Sequence, residues 1–99
     1  MIPPDERPAW IETTLREAFQ PDHLEVHDES RLHRGHPGAA AGGGHFRVTI
    51  VSDRFHGRPR IARHRMIYEA LGEAMKTEIH ALAVRAFTTK EWEKESPGG

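Results

Sequence analysis

Apolar side chains recur at Ile11, Leu15, Ala18 and Phe19, the spacing of one helix face, and predict an amphipathic helix over 9–20. Pro8 suits its first turn and Pro21 stops it. The pattern then changes to strict alternation over 23–28 and again over 45–50, so each segment reads as a half-buried strand and the two together as a hairpin. A second helical stripe, Met66, Ile67, Ala70, Leu71, Ala74 and Met75, marks the central core helix. Residues 79–87 alternate once more, with Leu82, Val84 and Ala86 on one face and His80 sharing their parity at the edge of that face. Finally, Thr88-Thr89-Lys90-Glu91 spells a capping box, in which hydroxyl and carboxylate satisfy free amides at a helix start, so a short helix should run through Trp92.

The order αββαβα, without internal repeats, predicts an α+β domain: a three-stranded sheet with helices on one side. Its bounds are expected at 9–94, with 1–8 a lead-in and 95–99 a tail. At 99 residues there is material for one core. So small an interior encloses a deep cavity only with difficulty, and function is expected on the surface.

The hairpin connection, Ser30 to Gly44, is long and carries five glycines, three consecutive alanines, and the histidines His33 and His36. Glycine and alanine give it no side chains with which to pack on itself, so it is expected to become ordered only against a ligand or partner.

Charge changes this picture locally. Fourteen Lys and Arg against 15 Asp and Glu are close to balance, which removes the global electrostatic case for nucleic acid or an anionic membrane. Yet Arg54, Arg58, Arg60, Arg63 and Arg65 put five guanidinium groups into twelve residues ahead of and within the central helix. Such a patch suits phosphates, carboxylates or an acidic partner face. There is no cysteine, so the chain offers no disulfide and no thiol nucleophile, and any iron-sulfur site must take its thiolates elsewhere. Asp28 and Glu29, adjacent on a strand end, point to opposite faces and make no acid/base pair; the serines lack the context of a nucleophile, and no enzymatic activity is expected. No apolar run approaches the roughly 20 residues of a spanning helix, and the first residues have neither secretory nor organelle-targeting character, which points to a cytoplasmic protein.

Phe55-x-Gly57, Arg63-His64-Arg65-Met66-Ile67-Tyr68 and Ile79-His80-Ala81-Leu82-Ala83 together closely resemble the BolA family. Asp28-Glu29-Ser30, His45-Phe46, Val51-Ser52-Asp53-Arg54-Phe55 and Lys90-Glu91-Trp92 extend the likeness across about 9–94. The resemblance implies an α+β fold similar to the type II KH domain. It also implies a monothiol glutaredoxin as partner, with glutathione, the two proteins sharing a [2Fe-2S] cluster that neither composition nor spacing would suggest; alone, the chain would carry no cofactor. Some bacterial members are described as transcriptional regulators of stress response and morphology that bind double-stranded DNA. A weak homodimer is compatible with the family, and no membrane partner is implied.

Carried over residue by residue, the family's histidine before the third strand matches His80, the expected cluster ligand. The family's loop ligand aligns in two ways: from Asp28-Glu29-Ser30 it is His33, and back from His45-Phe46 it is His36. His33 is preferred because Pro37 and Gly38 then fall where the family places its Pro and Gly. Imidazole binds metal only when neutral, so assembly should weaken in acid. Arg63, His64 and Arg65 are candidates for contact with the partner or glutathione, although His64 reads more simply as a residue that orders the preceding turn. For DNA the candidates are Arg58, Arg60, Arg63 and Arg65. The turn His56-Gly57-Arg58-Pro59-Arg60 lacks the second glycine of a KH phosphate clamp, and Pro59 removes an amide, so DNA is the alternative reading.

Overall fold

A computed structural model describes residues 2–30 and 44–95. Helix α1 spans Arg7–Phe19, strand β1 His23–Asp28, β2 Gly44–Val51, α2 Arg60–Leu71, the single turn α3 Ala74–Thr77, β3 Ile79–Phe87 and α4 Thr89–Glu95. Short 3₁₀ turns at Pro4–Glu6 and Asp53–Phe55 precede the first two long helices. α1 starts two residues before the expected point because the 3₁₀ turn feeds directly into it, and it ends at Gln20, which takes a left-handed conformation with φ 47°.

The sheet order is β1-β2-β3, with β1 antiparallel and β3 parallel to the central β2. Phe46, Val48 and Ile50 point from β2 into the core, and register places Leu24 and Val26 beside them on one side and Leu82, Val84 and Ala86 on the other. Against this face lie Ile11, Leu15 and Phe19 of α1 and Ile67 and Leu71 of α2, closing one cluster. The α+β fold and three-stranded sheet expected from the alternation are therefore present.

Val51 is fully buried on the opposite face and stands outside that cluster. Its register partners there are His23 and Phe87, and the Trp92 ring of α4 lies 5.0 Å from His23 and 5.4 Å from Phe87. The short last helix thus folds over the end of the outer face, while the two long helices cover the inner one.

The stripe that predicted one helix through Met75 is broken at Gly72, which caps α2 with φ 56° and ψ −128°. A residue with a Cβ rarely adopts that backbone, so the chain kinks and restarts as α3. The capping box forms as expected: the Thr88 amide donates to Glu91 Oε1 at 2.8 Å and the Glu91 amide to Thr88 Oγ1 at 3.2 Å. Ser52 performs a second junction, its buried hydroxyl donating to the Phe19 carbonyl at 2.7 Å and accepting from the Arg54 amide at 3.2 Å. It joins the end of α1 to the end of β2.

Ile67 is fully buried where α2 meets the sheet. Truncation there leaves a cavity, so Ile67→Ala is expected to lower the unfolding free energy by roughly 2–5 kcal/mol, seen as a lower urea midpoint at unchanged slope.

Candidate functional site

Alternation alone would put His80 on the core face with Leu82. The structure corrects this. Gly44 pairs with Ile79 but the next residue, His45, pairs with Ala81, so His80 is the extra residue of a β-bulge. Ile79 takes the core position, 3 % exposed, and His80 turns to solvent on the outer face. There its ring centroid lies 5.0 Å from that of His45, at 44°. Nothing local in the sequence marks a bulge, since the shift belongs to the pairing of two distant strands.

This corner is also where the hairpin connection leaves and re-enters the sheet. Asp28 Oδ1 accepts the Ser30 amide at 2.9 Å, Ser30 Oγ accepts the His45 amide at 3.0 Å, and the Glu29 amide donates to the His45 carbonyl at 2.8 Å. The Gly44 amide donates to the Glu78 carbonyl at 3.1 Å. A Cβ at Gly44 would lie 2.5 Å from the buried Phe46 ring, so glycine is required for this close approach. His33 and His36 lie outside the described residues, as does the expectation about how the connection becomes ordered. Their chain is tethered at both ends within this corner, beside His80. His45, which sequence reasoning used only as a family marker, is the imidazole found next to His80. Among the described residues no group of three or more His, Cys, Asp or Glu is gathered as a metal site.

The other candidate surface sits at the far end of β3. A groove of about 610 Å³ runs between the start of α2 and α4, lined by Arg58, Arg60 and Lys94 together with the carboxylates of Glu91 and Glu95, and by the apolar surface of Phe87. A contiguous hollow of about 550 Å³ adds His56 and Lys90. Arg58, Arg60 and Arg65 are exposed.

Arg63 behaves differently from its neighbours. Its Nε donates to the Arg58 carbonyl at 2.7 Å, its Nη1 to the Ala86 carbonyl at 3.0 Å, and Nη1 and Nη2 make a bidentate pair with Glu91 at 2.6 and 3.1 Å. The side chain is only 12 % exposed and lies over the Phe55 ring. Arg63 therefore fixes the 56–59 turn, the end of β3 and α4, the ordering role that sequence reasoning gave to His64. His64 is half-buried, with its ring 6.5 Å from Tyr68 one turn along.

The Arg63 guanidinium, helped by the Thr88 amide, holds the Glu91 carboxyl down from its ordinary 4.5 to about 2. A carboxylate depressed on folding stabilises the native state above its unfolded pKa and ceases to do so as pH falls through the folded one.

A family model described as BolA-like protein matches residues 15–91, most of the domain. The chain belongs to the BolA family. It is 52 % identical over 83 residues to the DNA-binding transcriptional regulator BolA of Escherichia coli K12, covering 84 % of this chain and 76 % of that one. It is 42 % identical over 88 residues to human BolA-like protein 1, covering 89 % of this chain and 62 % of that one. Among solved structures it is similar to the BolA domain of SufE1 from Arabidopsis thaliana, at TM-score 0.76 and 39 % identity, covering 86 % of this chain and 94 % of that one. Mouse BolA1 matches at TM-score 0.73 and 38 % identity, covering 92 % and 76 %. The BolA match includes β1, β2, α2, β3 and the capping box, and so spans His80 and the arginines from Arg58 to Arg65. Among the described residues no helix is long and apolar enough to cross a membrane.

Glu91→Gln is expected to flatten the acid limb of the stability curve. Between pH 4.5 and about 2 the parent loses the Glu91 contribution progressively, whereas the variant has none to lose; urea unfolding at a series of pH values reads the difference.

Proposed function

We propose that this BolA-family chain acts by binding a monothiol glutaredoxin and sharing a [2Fe-2S] cluster with it in iron-sulfur handling or iron signalling. The observation that carries the reading is His80, a solvent-facing imidazole presented by a strand bulge at the corner where both ends of the 31–43 connection are tied down. A bulge re-aims one side chain while the strand around it stays paired, a suitable mount for a ligand that must meet a group on another protein.

The donor set fits that group only in part. The chain has imidazoles and no cysteine, so His80 and one of His33 or His36 would supply nitrogen and the partner with glutathione the sulfur. Imidazole in place of thiolate removes negative charge from a cluster and raises its potential. His45 beside His80 would orient the ring or limit its rotation.

The test is to mix the protein, without oxygen, with a monothiol glutaredoxin, iron, sulfide and glutathione, and to follow visible absorption and complex size. The expected product is a coloured heterodimer that requires glutathione. In His80→Ala the spectrum should change or the colour should fade several-fold faster. Absence of colour in the parent would defeat the reading; an indistinguishable variant would remove His80 as ligand.

A second reading, transcriptional regulation through double-stranded DNA, is favoured by the exposed Arg58, Arg60 and Arg65 and by the name of the Escherichia coli relative. Arg58 and Arg60 are its contacts, joined by Arg65, whereas Arg63 has its guanidinium engaged internally. Replacing Arg58 and Arg60 by Ala should weaken DNA binding and reduce the slope of log affinity against log salt by about 1 per phosphate contact removed. Cluster bridging should survive the same change.

A further inference from the structure

Arg7 and Glu78 are 71 residues apart in sequence, yet they form an ion pair whose side chains are 11 % and 9 % exposed. Arg7 opens α1, and both its Nε and Nη2 lie 3.2 Å from Glu78 Oε2. Most charged pairs here are more exposed, such as Arg16 with Glu12 at 52 % and 45 %. Two desolvated charges are weak evidence for stability, because the cost of leaving water offsets their attraction; their better-attested use is to fix one arrangement among several.

Glu78 is well placed for that use. It is the single residue between α3 and β3, two positions before His80. Its amide donates to the Ala74 carbonyl at 2.9 Å, and its carbonyl accepts the Gly44 amide at 3.1 Å. That last bond lies beside the register shift that creates the bulge. With its carboxylate held by α1, the Glu78 backbone sets where β3 enters the sheet, and so whether His80 or Ile79 takes the core position. Bulges slip when the entering chain can slide by one residue, and a slip here would turn His80 inward.

We infer that the Arg7–Glu78 pair is a positioning device that fixes the β-bulge at the start of β3 and thereby presents His80, together with the Gly44 end of the hairpin connection, to the cluster-bearing partner. The presentation of His80 as a ligand rests on the function proposed above; the pinning of the bulge does not. The pair acts through His80 and touches no partner group itself.

Removing one charge would strand the other and unfold part of the chain, so the informative variant is the double replacement Arg7→Met with Glu78→Met, which keeps volume and removes both charges of the pair together. Amide hydrogen exchange of the free protein is compared at Gly44, whose amide is bonded to Glu78, and at Val48, in the middle of β2. The expected result is exchange at least about 10-fold faster at Gly44 with little change at Val48, the signature of local opening. Arg7→Lys, which keeps the charge, should restore much of the protection. In complex with glutaredoxin, the double variant should lose its colour several-fold faster than the parent, and this difference should vanish in a His80→Ala background. Equal acceleration at both amides, or none at either, overturns the inference. Local opening at Gly44 with an unchanged cluster lifetime overturns the link to His80 but leaves the pinning of the bulge. If the parent forms no coloured complex, the proposed function fails while the exchange result still decides the role of the pair in the fold.

Discussion

β2 is the central strand, so its backbone donors and acceptors are met only when β1 pairs along one side and β3 along the other. Its side chains impose the matching demand. Phe46, Val48 and Ile50 require α1 and α2 on one face, and Val51 requires cover on the other. A 99-residue chain meets the second demand economically, by turning α4 over one end of the outer face. The bulge and the tethered connection both finish the Gly44 end of this one strand.

The arrangement separates the two candidate surfaces. His80 lies at the start of β3 and the groove at its end, so at the usual rise per strand residue they are on the order of 20 Å apart. The histidine corner is built from the ends of β1, β2 and β3; the groove is built from helix ends held by Arg63. Among the described residues none is shared between the two, so substitutions that affect one class of binding need not affect the other.

The strands were legible because one face of each is buried and alternation records it; the capping box was legible because its bonds span three residues. Gly72 was visible as a glycine, but the stripe continued past it into Ala74 and Met75, so periodicity ran across the kink. His80 stood out by its context but parity placed it on the wrong face, since a bulge is a property of pairing with Gly44 and His45. Arg63 was one of five arginines between residues 54 and 65. What distinguishes it, a carbonyl in β3 and a carboxylate in α4, lies 23 and 28 residues away. Long-range polar structure leaves no periodic trace, and Arg7 with Glu78 is a second case.

The clasp between Ser30 and His45 separates the length of the connection from the geometry of the sheet. Once its ends are pinned, extra residues between them cost only a logarithmic loop entropy, about 0.6 kcal/mol for each doubling. The sequence between residues 31 and 43 can therefore be changed or lengthened without touching the bonds that close the corner, and the strand that presents His80 keeps its place.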